Sequence, residues 1–520
     1  MFYKFLLNND FRLCCLNYEE SFMSIAFSRQ PSAFKLMCII ILPAMLSMYG
    51  LVAIVTVFMV NDLGMSESDA FLINGAASAF STIIYAIGGY LADKVIGVKR
   101  SLVIGNLGIV LTLLLLSYAA AIGSIPLAMI GIAGGGVSRA LANNCPSNLI
   151  SKAYRKDDIR IDSAFTLYYM MINIGSCISL VITPIIAHKY SYSAGFAIAA
   201  LWNVVTIGFY LYKRDWVKNI GADADFKLVN IKTYVLLLVG LIALSLLGSW
   251  LITHYKLMQV LLIIALVIAL GFFINYMRKE SWAQQKKMLV SLVLLGFSVI
   301  FFILYKQMPT SLTFFAIHNT RHEFLGIPFD PVSTQALNPF WIIILSPLLA
   351  IFYERSSAKG KGASLPLKFA MGMLFCSMAF LCLAYGASFM ADETGRVSAF
   401  WLILTHLFQG LGELLISALG ISVLAQLVPN HMIGFTLGFR TLTLGISSMI
   451  AANLAVYIAV PESSGSVDSL QTLPVYASYF LKIGVGACIM ALIMFMTARK
   501  LDSMIADRNE EESEQVEAAS

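Results

Sequence analysis

Three ionisable side chains stand inside long apolar stretches of a 520-residue chain. Arg139 lies in GIAGGGVSRALANN, Lys306 in ILYKQMPTSLTFF and Glu413 in WLILTHLFQGLGELLISALG. A charge at bilayer depth costs roughly 2.5 to 3.5 kcal/mol, so an ionisable group kept there points to a use. Arg139 offers a planar fork to a carboxylate, Lys306 adds a point cation, and Glu413 can receive an ammonium group. A zwitterion lying lengthwise among them would satisfy all three. The competing reading is a buried ion pair, Arg139 or Lys306 with Glu413, that only ties two parts of the molecule together. Buried pairs seldom stabilise on their own account, which favours the first reading. His406 and Gln409 precede Glu413 by seven and four residues, so one helix face carries all three. His406 could relay a proton to that carboxylate; the alternative places it near the outer end of its helix, facing water or headgroups. Arg440 is read as snorkelling or as half of a gate pair, not as a ligand.

The elements that must position these residues are membrane helices. Hydrophobic residues make up 59% of the chain and charged ones 12%, about half the charged fraction of a soluble domain, and the mean hydropathy is +0.81. An ordinary water-soluble enzyme is excluded. Apolar runs of about 20 residues, enough to span a bilayer, fall near 36–60, 68–92, 100–121, 125–148, 163–188, 193–213, 232–252 and 257–277. Six more lie near 287–308, 336–353, 365–390, 397–427, 432–460 and 475–498. Their continuity excludes alternating barrel strands.

Alternate loops carry the basic residues: Lys94, Lys99 and Arg100; Lys152, Arg155, Lys156 and Arg160; Lys213, Arg214, Lys218 and Lys227; Arg278, Lys279, Lys286 and Lys287; Arg355, Lys359 and Lys361. These loops are expected in the cytoplasm, with both termini. The net charge of +6 then reports topology, and no nucleic-acid partner is expected. The opening MFYKFLLNNDFRLCCLNYEESF is neither a signal peptide nor a span; a start at Met23 is the preferred explanation. The eight cysteines form no CxxC pair, and those at 38, 145, 177, 376, 382 and 488 sit singly in apolar stretches, as packing residues do.

The expected organisation is an N-terminal cytoplasmic segment (1–35), a six-helix bundle (36–213), a linker with an inserted transmembrane hairpin (214–286), a second six-helix bundle (287–500) and an acidic cytoplasmic tail (501–520). Such a plan suits a transporter of two pseudo-symmetric halves with its site near the midplane. In GGYLADKVIGVKR, Gly88 and Gly89 would let a helix pack closely, while Asp93 with Lys99 and Arg100 would close a cytoplasmic gate by charge pairing. A simple topogenic loop is the alternative.

Several stretches resemble the proton-dependent oligopeptide transporter family of the major facilitator superfamily, over about residues 40–460. They are GGYLADKVIGVKR, FTLYYMMINIGS, KQMPTSLTFFA followed by QALNPFWIIILSP, and LGELLISALGIS. The resemblance implies that Tyr49, Asn173, Gln307, Asn338 and Glu413 line a peptide site, with Asn338 and Glu413 holding the amino terminus. It places Arg139 where the family has a fourth-helix lysine. It also exposes departures: the first-helix ExxER motif, linked in the family to proton coupling, is replaced by Ile41, Ala44 and Met45. Lys306 stands where many members have an acid, and Thr82 where a second-helix tyrosine is usual. Lys306 could restore the cation lost from the first helix. Glu413, with or without His406, is left to couple protons, the alternative being facilitated exchange.

The expectation is an all-α polytopic membrane protein of the major facilitator fold, a secondary transporter importing di- and tripeptides or related zwitterions by alternating access. Alternatives are an amino-acid transporter, an uncoupled exchanger or a transport-dead sensor. No enzyme is expected, since HExxH, GxSxG and an intramembrane Asp pair are missing, and no phosphate loop supports ATP-driven transport. His318 and His322 have metal-compatible spacing but are read as wet loop residues. No metal or cofactor is expected; the partners are substrate, protons and lipid, and the chain is expected as a monomer in a bacterial inner membrane.

Overall fold

The structure is a computed structural model that describes residues 30–155, 158, 160–358, 364–460 and 468–519, with backbone alone at 162, 353–358, 417–425 and 506–519. The opening segment 1–29, Lys156, Lys359 and Lys361 lie outside the described residues.

The first half contains α1 (Ser32–Asn61), α2 (Glu67–Tyr90), α3 (Val98–Ile122), α4 (Ile125–Ala142), α5 (Cys145–Ala153), α6 (Ile161–Lys189) and α7 (Tyr192–Tyr212). A hairpin follows, α8 (Ile231–Thr253) and α9 (Tyr255–Met277). The second half contains α10 (Trp282–Tyr305), α11 (Thr313–Asn319), α12 (Leu337–Ala358), α13 (Leu365–Phe389), α14 (Phe400–Gln426), α15 (Ile433–Ala455) and α16 (Ser469–Ala519). Among the described residues thirteen helical stretches are long and apolar enough to cross a membrane. In α14, of 27 residues, the apolar part is described from Phe400 to Ile416. The inserted hairpin is the most lipid-exposed part, with 11% and 17% of its two spans buried.

Each half has its own apolar core. Phe58 and Phe196 meet edge-on at 5.0 Å in the first, and Phe315 and Phe480 at 5.3 Å in the second. Such contacts add to the burial of large rings.

Several boundaries differ from the sequence reading. The ninth span does not end near 308: it continues as a π-helical turn, Met308–Leu312, into α11, so that Trp282–Asn319 is one interrupted 38-residue span. Pro309 has no N–H to give to a regular turn, and the wider turn absorbs it. The polar residues that interrupted the apolar run are interior ones: Thr310, Ser311 and Thr313 are all at most 2% exposed. The fourth span breaks between α4 and α5 at Asn143 and Asn144, just before Pro146. The helix expected to give way to a tail near 500 keeps a helical backbone to Ala519. After α11 a short antiparallel hairpin pairs Glu323–Phe324 with Ile327–Pro328.

The GGYLADKVIGVKR segment is built for contact within the first half. A Cβ on Gly88 would lie 2.8 Å from Ala140 Cβ and closer still to the Ala140 carbonyl, whereas at Gly89 the nearest atom is Asn144 Nδ2 at 3.8 Å. Only the first glycine is required by the α2–α4 approach. Gly88→Val is expected to lower the monodisperse yield from detergent several-fold while Gly89→Ala leaves it unchanged, measured by size-exclusion chromatography.

The expected pairing of Asp93 with Lys99 and Arg100 is not formed. Asp93 takes a hydrogen bond from Asn148 Nδ2 (3.2 Å) and pairs with Lys152 (3.6 Å), both on α5. Lys99 Nζ donates to the Val217 and Lys218 carbonyls at 3.4 and 3.1 Å, and Arg100 to those of Ile96 (3.0 Å) and Lys227 (2.9 Å). Asp225 completes the dock, accepting from the backbone N–H of Val98 (3.1 Å), Lys99 (2.9 Å) and Ala222 (2.8 Å). The two cations are occupied by linker carbonyls, so they hold the linker to the first half.

Candidate functional site

The end of the molecule that is poor in basic residues is sealed by contacts between the two halves. His318 Nε2 on α11 lies 3.3 Å from Glu67 Oε1 on α2, their side chains 9% and 7% exposed. Glu67 also accepts from Val460 N–H at 3.0 Å, and the Tyr476 hydroxyl is 3.3 Å from His318 Nδ1. Phe71 meets Phe314 edge-on at 4.8 Å. Gln335 Nε2 donates to the Ala53 carbonyl at 3.2 Å, and a Cβ on Gly75 would lie 2.5 Å from Ala452 Cβ. His318 is therefore a buried residue joining the halves, not the wet loop residue expected; the interrupted α10–α11 span carries it back inside. His322 Nε2 sits 3.2 and 3.1 Å from the Ala316 and Ile317 carbonyls, at the end of α11. Among the described residues no cluster of His, Cys, Asp or Glu could hold a metal ion.

Next to this seal lies a cavity of about 530 Å³, with Thr82 and Tyr85 of α2, Arg139 of α4, and Tyr305 and Lys306 at the α10 break among its walls. No carboxylate lines it among the described residues. Arg139 is placed there by small residues on both sides: Gly134 admits Thr112 of α3 (a Cβ would lie 2.8 Å from its methyl) and Gly136 admits Ser81 of α2. Arg139 is 9% exposed, and its Nε and Nη2, shut off from solvent, have no hydrogen-bond partner among the described residues. Lys306 caps the C-terminal end of α10 and is a wall residue of the cavity.

Glu413 is not paired with either cation, so the buried-ion-pair alternative is not what the fold contains. Its Oε2 accepts from Asn338 Nδ2 at 3.2 Å, and Tyr305, a wall residue of the cavity, is its neighbour. Tyr49 and Tyr169 lie within electrostatic reach of it. Tyr49 is also near Tyr85, and Tyr85 near Arg139. Of these tyrosines, Tyr85 and Tyr305 line the cavity with Arg139 and Lys306. Asn173 joins indirectly: its Nδ2 donates to the Tyr169 carbonyl (2.9 Å), one turn away.

Gln307, expected at the site, faces elsewhere. It is 0% exposed; its Nε2 donates to the Ile303 and Ala451 carbonyls at 3.3 and 3.1 Å, and its Oε1 accepts from Tyr479 (2.7 Å) and Ser311. With its amide saturated by protein, it pins the helix break to α15 and α16. Gln307→Leu should leave Tyr479 and Ser311 unpaired, costing about 1 to 3 kcal/mol; a lower melting temperature with unchanged ligand affinity is expected, read by thermal unfolding and competition binding. His406 and Gln409 are each 1% exposed, and His406 Nδ1 and both Gln409 amide atoms lack partners. The outer, water-facing position considered for His406 is thereby corrected.

The residues that sequence reasoning missed are Tyr305, Tyr85, Glu67 and Asp225. Tyr305 adjoins Lys306 and could have been noticed there. Glu67 reads locally as an ordinary acid in the first turn of a helix after the Ser66 cap.

At the sealed end, Asp392 accepts from Thr394 Oγ1 (2.6 Å), Arg396 N–H (3.1 Å) and Arg321 Nε (2.8 Å). The Thr394 hydrogen bond, with help from these neighbours, brings its carboxyl down to about 2. Its contribution is therefore full above the ordinary carboxylate range and lost only as pH falls through about 2. The loop pin does not titrate between pH 5 and 8, on the order of the physiological window.

Residues 71–473 match the POT family. The chain is 39% identical over 486 residues to dipeptide and tripeptide permease B of Photorhabdus luminescens, covering 94% of this chain and 99% of that protein. It is 42% identical over 495 residues to dipeptide and tripeptide permease A of Yersinia pestis, covering 94% and 96%. Among solved structures, a bacterial homologue of the human drug peptide transporters PepT1 and PepT2 matches with a TM-score of 0.80 at 29% identity, over 90% of this chain and 99% of that one. Tetrameric PepTSo2 matches with a TM-score of 0.81 at 29% identity, over 91% and 99%. Two helical halves with an inserted hairpin, a polar cavity between them and likeness over nearly the whole length agree: this multi-pass membrane protein has the major facilitator fold and belongs to the POT family.

Proposed function

We propose that the protein is a secondary transporter of di- and tripeptides. The observation that carries this is a cavity walled by two cations from opposite halves, Arg139 and Lys306, with the Glu413–Asn338 pair next to its Tyr305 wall. A peptide's carboxylate takes the Arg139 fork and its ammonium group takes Glu413 and Asn338. The permease relatives are named for the same substrates.

The basic loops support a sealed end outside and both termini in the cytoplasm, and on that reading the seal closes the outer side. Transport opens the Glu67–His318 seal and closes the opposite end as the halves 36–213 and 287–500 rock about the cavity. Gly88 keeps α2 and α4 together during that movement. Protonation of Glu413 releases the ammonium group and couples the cycle to a proton gradient, with His406 on the same helix as the nearest relay. The absence of acids at Ile41, Ala44 and Met45 favours a second reading, uncoupled exchange of the same substrates. The transport unit is one chain, because both halves of the cavity come from it.

Counterflow of labelled Ala-Ala in proteoliposomes tests the reading. Unlabelled Ala-Ala and tri-alanine should compete, and alanine and tetra-alanine should not; competition by alanine equal to that of Ala-Ala would replace the peptide reading by an amino-acid one.

A further inference from the structure

The charges facing the site do not balance for an ordinary peptide. Arg139 and Lys306 bring two positive charges to the cavity, which no carboxylate lines among the described residues; the acid near it, Glu413, adjoins its Tyr305 wall and is left to the ammonium group. A zwitterion adds one charge of each sign and leaves one cation over. An unpaired charge in an enclosure of low polarity is unfavourable, so the best occupant carries a second carboxylate.

We propose that the site selects peptides with an acidic side chain, and that Lys306 is the residue that reads it. This rests on the assignment of the cavity as the peptide site. The two cations differ in a way that divides the work. Arg139 is rigid: it is 9% exposed, and its Nε and Nη2, closed to solvent and without a hydrogen-bond partner among the described residues, form the edge that a small turn of the guanidinium would present to a carboxylate as two parallel hydrogen bonds. That edge suits the terminal carboxylate, whose place relative to the ammonium group is set by the peptide backbone. Lys306 is adaptable: its ammonium is carried on four methylenes, offers three donors and stands at a break in the helix. That reach suits a side-chain carboxylate, which lies at different distances in Asp and Glu. The cations belong to opposite halves, so an acidic peptide also bridges α4 and α10.

The test is competition against labelled Ala-Ala uptake in proteoliposomes by Ala-Glu and by its uncharged near-isostere Ala-Gln at pH 7. The half-inhibitory concentration of Ala-Glu should be at least about ten-fold lower, the ratio that 1.4 kcal/mol produces. Lys306→Gln should bring the two peptides within about two-fold, Lys306→Arg should keep the preference, and Lys306→Glu should move it to Ala-Lys, by the same charge-pairing argument. Equal inhibition by Ala-Glu and Ala-Gln in the unaltered protein would overturn the proposal. So would a Lys306→Gln variant that keeps the preference, or one that weakens both peptides equally, since Lys306 would then share the terminal carboxylate with Arg139. Thermal stabilisation of the unaltered protein by the same two peptides decides the matter even if a variant fails to fold. Uptake of Ala-Ala without an advantage for Ala-Glu sinks the selectivity alone; absence of Ala-Ala uptake sinks the transport reading, and the thermal comparison still tests the selectivity.

Discussion

Glu413→Gln is expected to abolish dipeptide accumulation driven by an inward proton gradient while leaving downhill counterflow measurable. Glutamine has the shape of the carboxylic acid, and its amide oxygen can keep the hydrogen bond from Asn338 Nδ2. What it lacks is the ability to ionise. A charge-assisted hydrogen bond is worth about 1.5 to 3 kcal/mol, so affinity for Ala-Ala should fall by about ten- to a hundred-fold. Accumulation fails for a separate reason: the cavity walls hold no carboxylate among the described residues to replace Glu413, and the first-helix positions that could supply one are Ile41 and Ala44. Proteoliposomes with an imposed pH difference separate the two effects. Uphill transport retained by Glu413→Gln would remove Glu413 as the coupling group, and uptake by the unaltered protein that ignores the gradient would exclude symport altogether.

Arg139→Ala should separate stability from binding. The Arg139 side chain is buried with Nε and Nη2 unpartnered among the described residues, so its removal relieves a desolvation penalty and the melting temperature should hold or rise. Affinity for a dipeptide should fall by about ten-fold to more than a hundred-fold, because the terminal carboxylate loses a charged, two-point partner. Arg139→Lys should recover part of this, keeping the charge but not the fork. Lys306→Ala provides the comparison. A loss of Ala-Ala affinity matching that of Arg139→Ala would make Lys306 the replacement for the cation missing from the first helix and overturn its assignment to an acidic side chain; unchanged affinity there, with binding abolished by Arg139→Ala, would end the compensation idea. Isothermal titration and thermal unfolding on the same preparations give both readouts.

The spans were readable because hydropathy is a local sum: about 20 apolar residues hide their own backbone hydrogen bonds wherever they sit in the membrane. The rule failed where interior polarity imitated a helix end, as at Lys306 to Ser311, which continue through the π turn into α11. Arg139, Lys306 and Glu413 stood out for the same reason the spans did, since a charge in lipid is too unfavourable to keep without use. Asn338 came to lie against Glu413, which the resemblance names with it. Gln307 did not: one residue beyond Lys306, it is turned away from the cavity and saturated by Tyr479, Ser311 and two carbonyls.

Composition and patterning thus settle the solvent, the number of helices and the few ionisable groups that enter the membrane, because each is the property of a continuous stretch of chain. Direction and partnership are properties of packing. Whether Arg139 neutralises Glu413 or leaves both available to a ligand, whether His318 meets water or Glu67, and whether Lys99 and Arg100 meet Asp93 or the linker depend on contacts between segments far apart in sequence. A helical residue turns about 100° from its neighbour, so adjacent residues such as Lys306 and Gln307 have no common environment until the surrounding helices are in place.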